Sequence, residues 1–228
     1  MDIECWMRDR CKGTCSDFCP KLFKLNFLYD KALMSNFQRK HMDLRIDDDN
    51  TDLEEFKLLS SIEKDIENFV KDGKNLYIHS ANSGNGKTSW SLRLIQAYFN
   101  KIWHKCDLEC KALYINVPRF LLTLKDNISH ESDYVKHIKD NVLLADIVVW
   151  DEIGTKCLTQ FEFDNLLNII NTRLDMAKSN IYTSNLSECE LQQTVGDRLY
   201  SRISNNSINI ELRGCDKRGI LNDSTTNA

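Results

Sequence analysis

Asn75-Leu76-Tyr77-Ile78-His79-Ser80-Ala81-Asn82-Ser83-Gly84-Asn85-Gly86-Lys87-Thr88 passes from an apolar run through small residues into the helical pattern Leu92/Ile95/Phe99. A strand, a glycine-containing loop and a helix in that order make a phosphate-binding loop. Small residues let the backbone curl so that successive N–H groups face an anion, and Lys87 adds a mobile positive charge. Thr88 offers a hydroxyl to Mg²⁺. The helix that follows turns its positive end toward the same anion. The nucleotide-binding set is therefore Ser83, Gly84, Asn85, Gly86, Lys87 and Thr88, with ATP and Mg²⁺ as the expected ligands. The usual pattern carries glycine where this chain has Ala81, a substitution that matters only if that position needs a positive φ.

The partner of this loop is Ile147-Val148-Val149-Trp150-Asp151-Glu152, an apolar run that ends in two carboxylates. It looks like a Walker B strand: four consecutive apolar residues suit a strand covered on both faces, with the acids at its ligand-binding end. Asp151 is expected in the Mg²⁺ shell and Glu152 as the residue that polarises the attacking water. A second acid beside the first is what a hydrolase needs.

Further strands are expected at Ala112–Val117, Ala145–Trp150, Asn180–Ser184 and Ile208–Leu212, besides the first around 75–80. Helical patterns alternate with them, among them Phe163/Leu166/Leu167/Ile170/Leu174 and, ahead of the first strand, Leu53/Phe56/Leu59/Ile62. That alternation predicts an α/β sandwich around a five-stranded parallel sheet. One strand intervenes between the phosphate loop and Asp151-Glu152, as in NTPases whose Walker B strand does not follow the loop strand directly.

The chain has 228 residues, 30 basic and 34 acidic, for a net charge of −4. One core and a small appendage fit that length, and contacts with DNA must be local because the chain is not a polycation. No run of eighteen apolar residues and no charged-then-apolar leader is found, so a cytoplasmic location with no membrane partner is expected. The Asn-x-Ser matches at Asn127 and Asn185 then carry no glycosylation meaning.

Nine cysteines in such a chain are expected as thiols or metal ligands. Cys5, Cys11, Cys15 and Cys19 are spaced C-x5-C-x3-C-x3-C and could close a tetrahedral site around Zn²⁺; an iron–sulfur cluster or four reduced thiols are the alternatives. Cys106, Cys110, Cys157, Cys189 and Cys215 are taken as ordinary thiols. Around the cluster, aromatic and basic residues interleave, including Trp6, Arg8, Arg10, Phe18, Lys21, Phe23, Lys24 and Phe27. That mixture suits a protein partner or single-stranded nucleic acid, and equally a small folded module with solvated lysines. The acidic run from Asp47 to Asp52 divides the chain into a Cys-rich module (1–46), a solvated linker (47–52), a nucleotide-binding core (53–221) and a disordered tail (222–228).

Two more polar features sit on the expected ligand edge. Thr183-Ser184-Asn185 ends the fourth strand, so Asn185 can reach the γ-phosphate and its water. Gly196-Asp197-Arg198-Leu199-Tyr200-Ser201-Arg202 puts two arginines on one helix face.

Together with Asp216-Lys217-Arg218-Gly219, these segments resemble the DnaC/DnaI helicase loaders, most nearly the short phage-encoded DnaC-like proteins. The resemblance covers about residues 53–220 as an AAA+ core of the additional-strand (ASCE) P-loop class, with a Cys-rich start like that family's helicase-binding, often zinc-carrying module. It implies an ATPase that self-assembles, contacts single-stranded DNA and helps place a hexameric replicative helicase on it. It further implies Asn185 as sensor 1, Arg202 as a trans-acting arginine finger and Arg218 as the sensor-2 arginine. Two alternatives stay open: an IstB-like transposition ATPase, which shares the core motifs, and a nucleotide-gated adaptor that binds the helicase without turnover.

Overall fold

The computed structural model describes residue 11 and residues 18–34, 50–126 and 132–215. Five strands, β1 (Asn75–His79), β2 (Ala112–Asn116), β3 (Ile147–Asp151), β4 (Ser179–Ser184) and β5 (Ser207–Glu211), form one sheet. Their order is β2-β3-β4-β1-β5, and every neighbouring pair is parallel. The helices among the described residues are α1 (Pro20–Leu33), α2 (Leu53–Lys64), α3 (Ile66–Lys71), α4 (Lys87–Ile102), α5 (Val117–Asp126), α6 (Asp133–Asn141), α7 (Gln160–Asp175), α8 (Glu188–Val195) and α9 (Asp197–Ser204).

Burial explains the sequence pattern. Every residue of β1, β3 and β4 is buried, because helices cover both faces of the sheet. Leu76 and Ile78 of β1 join the apolar cluster made with α1 to α4, whereas Tyr77 between them joins the cluster made with α5 to α9. The result is the three-layer α/β sandwich of the AAA+ P-loop class. Among the described residues, no helix is long and apolar enough to cross a membrane.

β4 lies between β1 and β3, so a strand distant in sequence separates the phosphate loop from Asp151. Its opposite end is held by Arg173 of α7, a fully buried cation. Its Nε donates to Asn180 Oδ1 at 2.7 Å, and its Nη atoms donate to the carbonyls of Val142, Ala145 and Ser179. Burial lowers its pKa to about 10, which still leaves it charged at neutral pH. Asn180 Oδ1 also accepts from Trp150 Nε1, so one amide ties α7, β3 and β4 together.

α1 packs on the β2 side of the sheet. Its Leu25, Leu28, Tyr29, Ala32 and Leu33 belong to the same cluster as α2 and α4, and Tyr29 meets Phe99 edge-on at 5.0 Å between ring centres. Lys31 Nζ donates to Leu108 O at 3.0 Å. Phe23 on α1 and Phe18 just ahead of it remain exposed.

The linker expectation needs one correction at its end. Asp52 is buried, not solvated: its carboxylate accepts from Arg213 N at 2.7 Å and Gly214 N at 2.9 Å. Two orphan backbone donors beyond the last strand supply the reason. Residues 47–49 and the tail 222–228 lie outside the described residues.

Candidate nucleotide site

The phosphate loop leaves β1 at Ser80 and closes at Gly86, whose φ of 102° is followed by α4. Gly84 and Gly86 both adopt positive φ, so these two glycines are required by the backbone. Ala81 is not among the residues with positive φ, and the departure from the usual glycine carries no backbone strain.

Asn85 has a second use for its side chain. Its side chain is buried: Nδ2 donates to Ser80 Oγ and, at 3.1 Å, to Leu212 O, while Oδ1 accepts from Lys87 Nζ at 3.1 Å. Lys87 Nζ also donates to Asn82 O at 2.8 Å. Asn82 Nδ2 reaches the carbonyls of Arg213 and Gly214. The loop is therefore tied by two asparagines to the segment after β5, and Asn85 offers an anion only its backbone N–H. A lone asparagine between glycines gives no sequence signal for such a tether.

The carboxylate of Asp151 collects three hydroxyls. Thr88 Oγ1 donates to Oδ1 at 3.0 Å, Thr183 Oγ1 donates to the same atom at 2.6 Å, and Tyr114 OH donates to Oδ2. Burial raises the Asp151 pKa above the usual carboxylate range, and these three bonds work against that shift. Burial and then the charge of Asp151 push the Tyr114 phenol upward, so it stays a donor.

Glu152 follows at a φ of 60°, an uncommon backbone for a side-chain-bearing residue. Its Oε2 accepts from Asn116 Nδ2 at 2.9 Å. Gly84 to Ser89, Glu152, Thr183, Ser184 and Asn185 line one cavity of about 340 Å³. Ser83 sits in the same loop, exposed. A second cavity, of about 330 Å³, adjoins it on the β2 side, where Leu33 and Met34 at the end of α1 face Thr88, Tyr114, Asn116, Asp151 and Glu152.

The structure thus brings together Lys87, Thr88, Asp151, Glu152 and Asn185. Arg202 is not among them. It lies with Arg198 on α9 beside a separate cavity of about 290 Å³ lined also by Leu167, Asn171, Asp197 and Ser201. Arg218, Cys5 and Cys15 fall outside the described residues. Cys19 Sγ accepts from Leu22 N at 3.5 Å as the N-cap of α1, and Cys11 packs against the apolar cluster of α1 to α4. No group of three or more metal-ligating side chains occurs among the described residues.

Tyr114 and Asn116 escaped the sequence reading, and Thr183 was named there only within the Thr183-Ser184-Asn185 segment, without a role of its own. Asn116 was findable by the logic that picked out Asn185, since it too ends a strand on the ligand-binding edge.

A hard divalent cation fits this donor set, which offers hydroxyl and carboxylate oxygens in contact with each other and no sulfur or imidazole.

The description "IstB-like ATP binding protein" matches residues 34–206. Among solved structures, a DnaC helicase loader is similar at 18% identity and a TM-score of 0.62, covering 77% of this chain and 100% of that one. A candidate primosome component from Streptococcus pyogenes serotype M3 is similar at 19% identity and a TM-score of 0.61, covering 84% and 98%. DnaI is similar at 19% and 0.59, covering 82% and 96%. No curated protein matches the sequence. At such identities the structural likeness is one of fold.

Proposed function

This chain belongs to the family of IstB-like ATP binding proteins, and from that premise we propose that it hydrolyses ATP slowly and serves as a loader for a hexameric replicative DNA helicase. The observation that carries the ATPase part is the convergence of Thr88, Thr183 and Tyr114 on Asp151, with Glu152 at the next position and the phosphate loop opposite. A mere nucleotide holder has no use for a second carboxylate held over the same cavity.

In this reading the backbone N–H groups of Ser83 to Gly86 and the Lys87 ammonium hold the β- and γ-phosphates. Lys87 leaves Asn82 O and Asn85 Oδ1 to do so. Thr88 and Asp151 hold Mg²⁺, which supplies charge neutralisation on the phosphate oxygens. Glu152, released from Asn116, accepts a proton from the attacking water, and Asn185 orients that water against the γ-phosphate. Arg202 stands apart from its own chain's phosphate loop, as an arginine supplied to a neighbouring subunit would. Arg218 is retained as the sensor-2 candidate.

The loader part is supported by the Thr183-Ser184-Asn185 and Gly196–Arg202 segments and by the structural company of DnaC and DnaI. The exposed Phe23 on α1 and Phe18 just before it are candidates for the helicase grip. Single-stranded DNA and further copies of the chain are the other partners proposed. The family match favours one second reading, a transposition ATPase.

The test is an affinity pull-down of the intact protein from host extract with ATP. Enrichment of a replicative helicase that is lost on Phe23→Ala or Lys87→Ala supports the loader; enrichment of a transposase moves the assignment. Deleting residues 1–45 is a poor alternative, because it strips the inner face of α1 from the core.

A further inference from the structure

We infer that Thr183 is a positioning residue which sets both carboxylates of the site at once, the metal-binding Asp151 and the water-activating Glu152. The inference rests on the ATPase reading above and deepens it.

Thr183 sits on β4, the strand lodged between the phosphate-loop strand and the acidic strand. Its buried Oγ1 has two partners. It donates its only proton to Asp151 Oδ1 at 2.6 Å and accepts from Glu152 N–H at 3.0 Å. A hydroxyl does both through a single atom, which neither an ionised carboxylate nor an aliphatic side chain can do. The same residue's carbonyl accepts from Ile153 N at 2.9 Å, and Ser184 Oγ donates to Ile153 O at 2.8 Å. Consecutive N–H groups on either side of the Glu152 carbonyl are thus fixed by one residue of β4.

That fixation has something to hold. Glu152 keeps a φ of 60°, and a backbone in this region persists only where its surroundings over-determine it. The turn beyond is fixed by Gly154, where an added Cβ would lie 2.4 Å from Leu191 Cδ1. Thr183 supplies the restraint on the near side. If Thr88 turns its hydroxyl to a cation, Thr183 and Tyr114 remain to fix the plane of the Asp151 carboxylate, and Thr183 also accepts from the Glu152 N–H.

The comparison that separates these roles uses the full-length protein and four variants. Nucleotide affinity is measured by fluorescent-ATP titration with Mg²⁺ and with EDTA, and turnover by phosphate release at saturating ATP and Mg²⁺. Thr183→Val, which keeps the shape and removes the hydroxyl, is expected to lose most of the Mg²⁺-dependent gain in affinity. Its kcat should fall about tenfold or more, the scale of a lost hydrogen bond to a charged group. EDTA-state affinity should stay within about threefold of wild type. Thr183→Ser should restore both properties. Tyr114→Phe, which removes the bond to Asp151 Oδ2 alone, should weaken Mg²⁺ dependence and lower kcat by less than Thr183→Val does. Should Thr183→Val not fold by circular dichroism, Thr183→Ala carries the same comparison.

Wild-type Mg²⁺ dependence and kcat in Thr183→Val, or a Thr183→Ser no better than the valine variant, overturns the inference. A wild-type protein that binds Mg²⁺–ATP without turning it over refutes the ATPase reading instead. The Mg²⁺ titration then still decides whether Thr183 holds Asp151.

Discussion

Asn116 Nδ2 and Glu152 Oε2 are joined across 2.9 Å, from the end of one strand to the residue just past its neighbour. That bond holds one carboxylate oxygen toward the β2 side, and its loss frees Glu152 to turn fully toward a water molecule over the phosphate loop. Asn116→Ala is therefore expected to raise basal ATP turnover severalfold with unchanged nucleotide affinity. Steady-state phosphate release with and without single-stranded DNA measures this, and a fall in basal turnover would assign Asn116 a direct supporting role.

Glu152→Gln keeps the length and the hydrogen-bonding capacity of the side chain but removes its basicity. Turnover should drop by about 10² or more, the usual contribution of a general base, while ATP still binds. Equal turnover in the variant would show that another group takes the proton.

Lys87→Ala removes the one cation held inside the phosphate loop. Affinity for ATP should weaken by about 10- to 100-fold, as loss of a charge-assisted bond to phosphate predicts. Unchanged affinity in a fluorescent-nucleotide titration would move the binding site away from this loop.

Asn85→Ala tests the tether instead of the ligand contact. It removes the amide that donates to Ser80 Oγ and Leu212 O, leaving Ser80 Oγ only the Asn82 N–H as a donor, and lets Lys87 lose one of its acceptors. A stability loss of about 2 kcal/mol is expected, with weakened nucleotide binding. Thermal unfolding with and without ATP distinguishes the two effects, because ligand binding to a loosened loop should rescue less of the lost stability.

Glu162 gives a pH dependence of defined sign. Burial would raise its pKa, but the Lys156 ammonium, the Thr159 backbone and hydroxyl, and the Lys125 ammonium outweigh that and bring it to about 2. A depressed carboxylate contributes stability that is present above its unfolded pKa and is lost as pH falls from about 4.5 toward 2. Glu162→Gln should unfold at a lower denaturant concentration at pH 7, with the gap to wild type closing over that acid window. A gap that persists at pH 2 would assign the effect to packing.

The architecture was legible because β3, covered on both faces, appears in sequence as the unbroken apolar run Ile147–Trp150, with Leu76-Tyr77-Ile78 as its shorter counterpart in β1. The phosphate loop and Asp151-Glu152 were legible for a related reason, since their chemistry is carried by residues contiguous in the chain. Thr183 and Tyr114 were not: their meaning depends on which strands are neighbours, and the order β2-β3-β4-β1-β5 differs from the order of synthesis. The inner face of α1 was hidden too. Its partners on α4 and β2 lie some seventy or more positions away, so the linker composition suggested a separate module where the apolar side chains make a shared core.

The strand that launches the phosphate loop pairs with Ile181 on one side and Ile208 on the other through Leu76, and Asn85 is closed off by the carbonyl of Leu212. A ribosome that has made residues 75–88 has therefore made the sequence of the loop without the means to shape it. As the chain emerges, nucleotide affinity should arrive late and abruptly, once the last strand and Leu212 have cleared the exit tunnel. Until then, the growing polypeptide carries a phosphate-loop sequence that cannot compete for the cell's ATP.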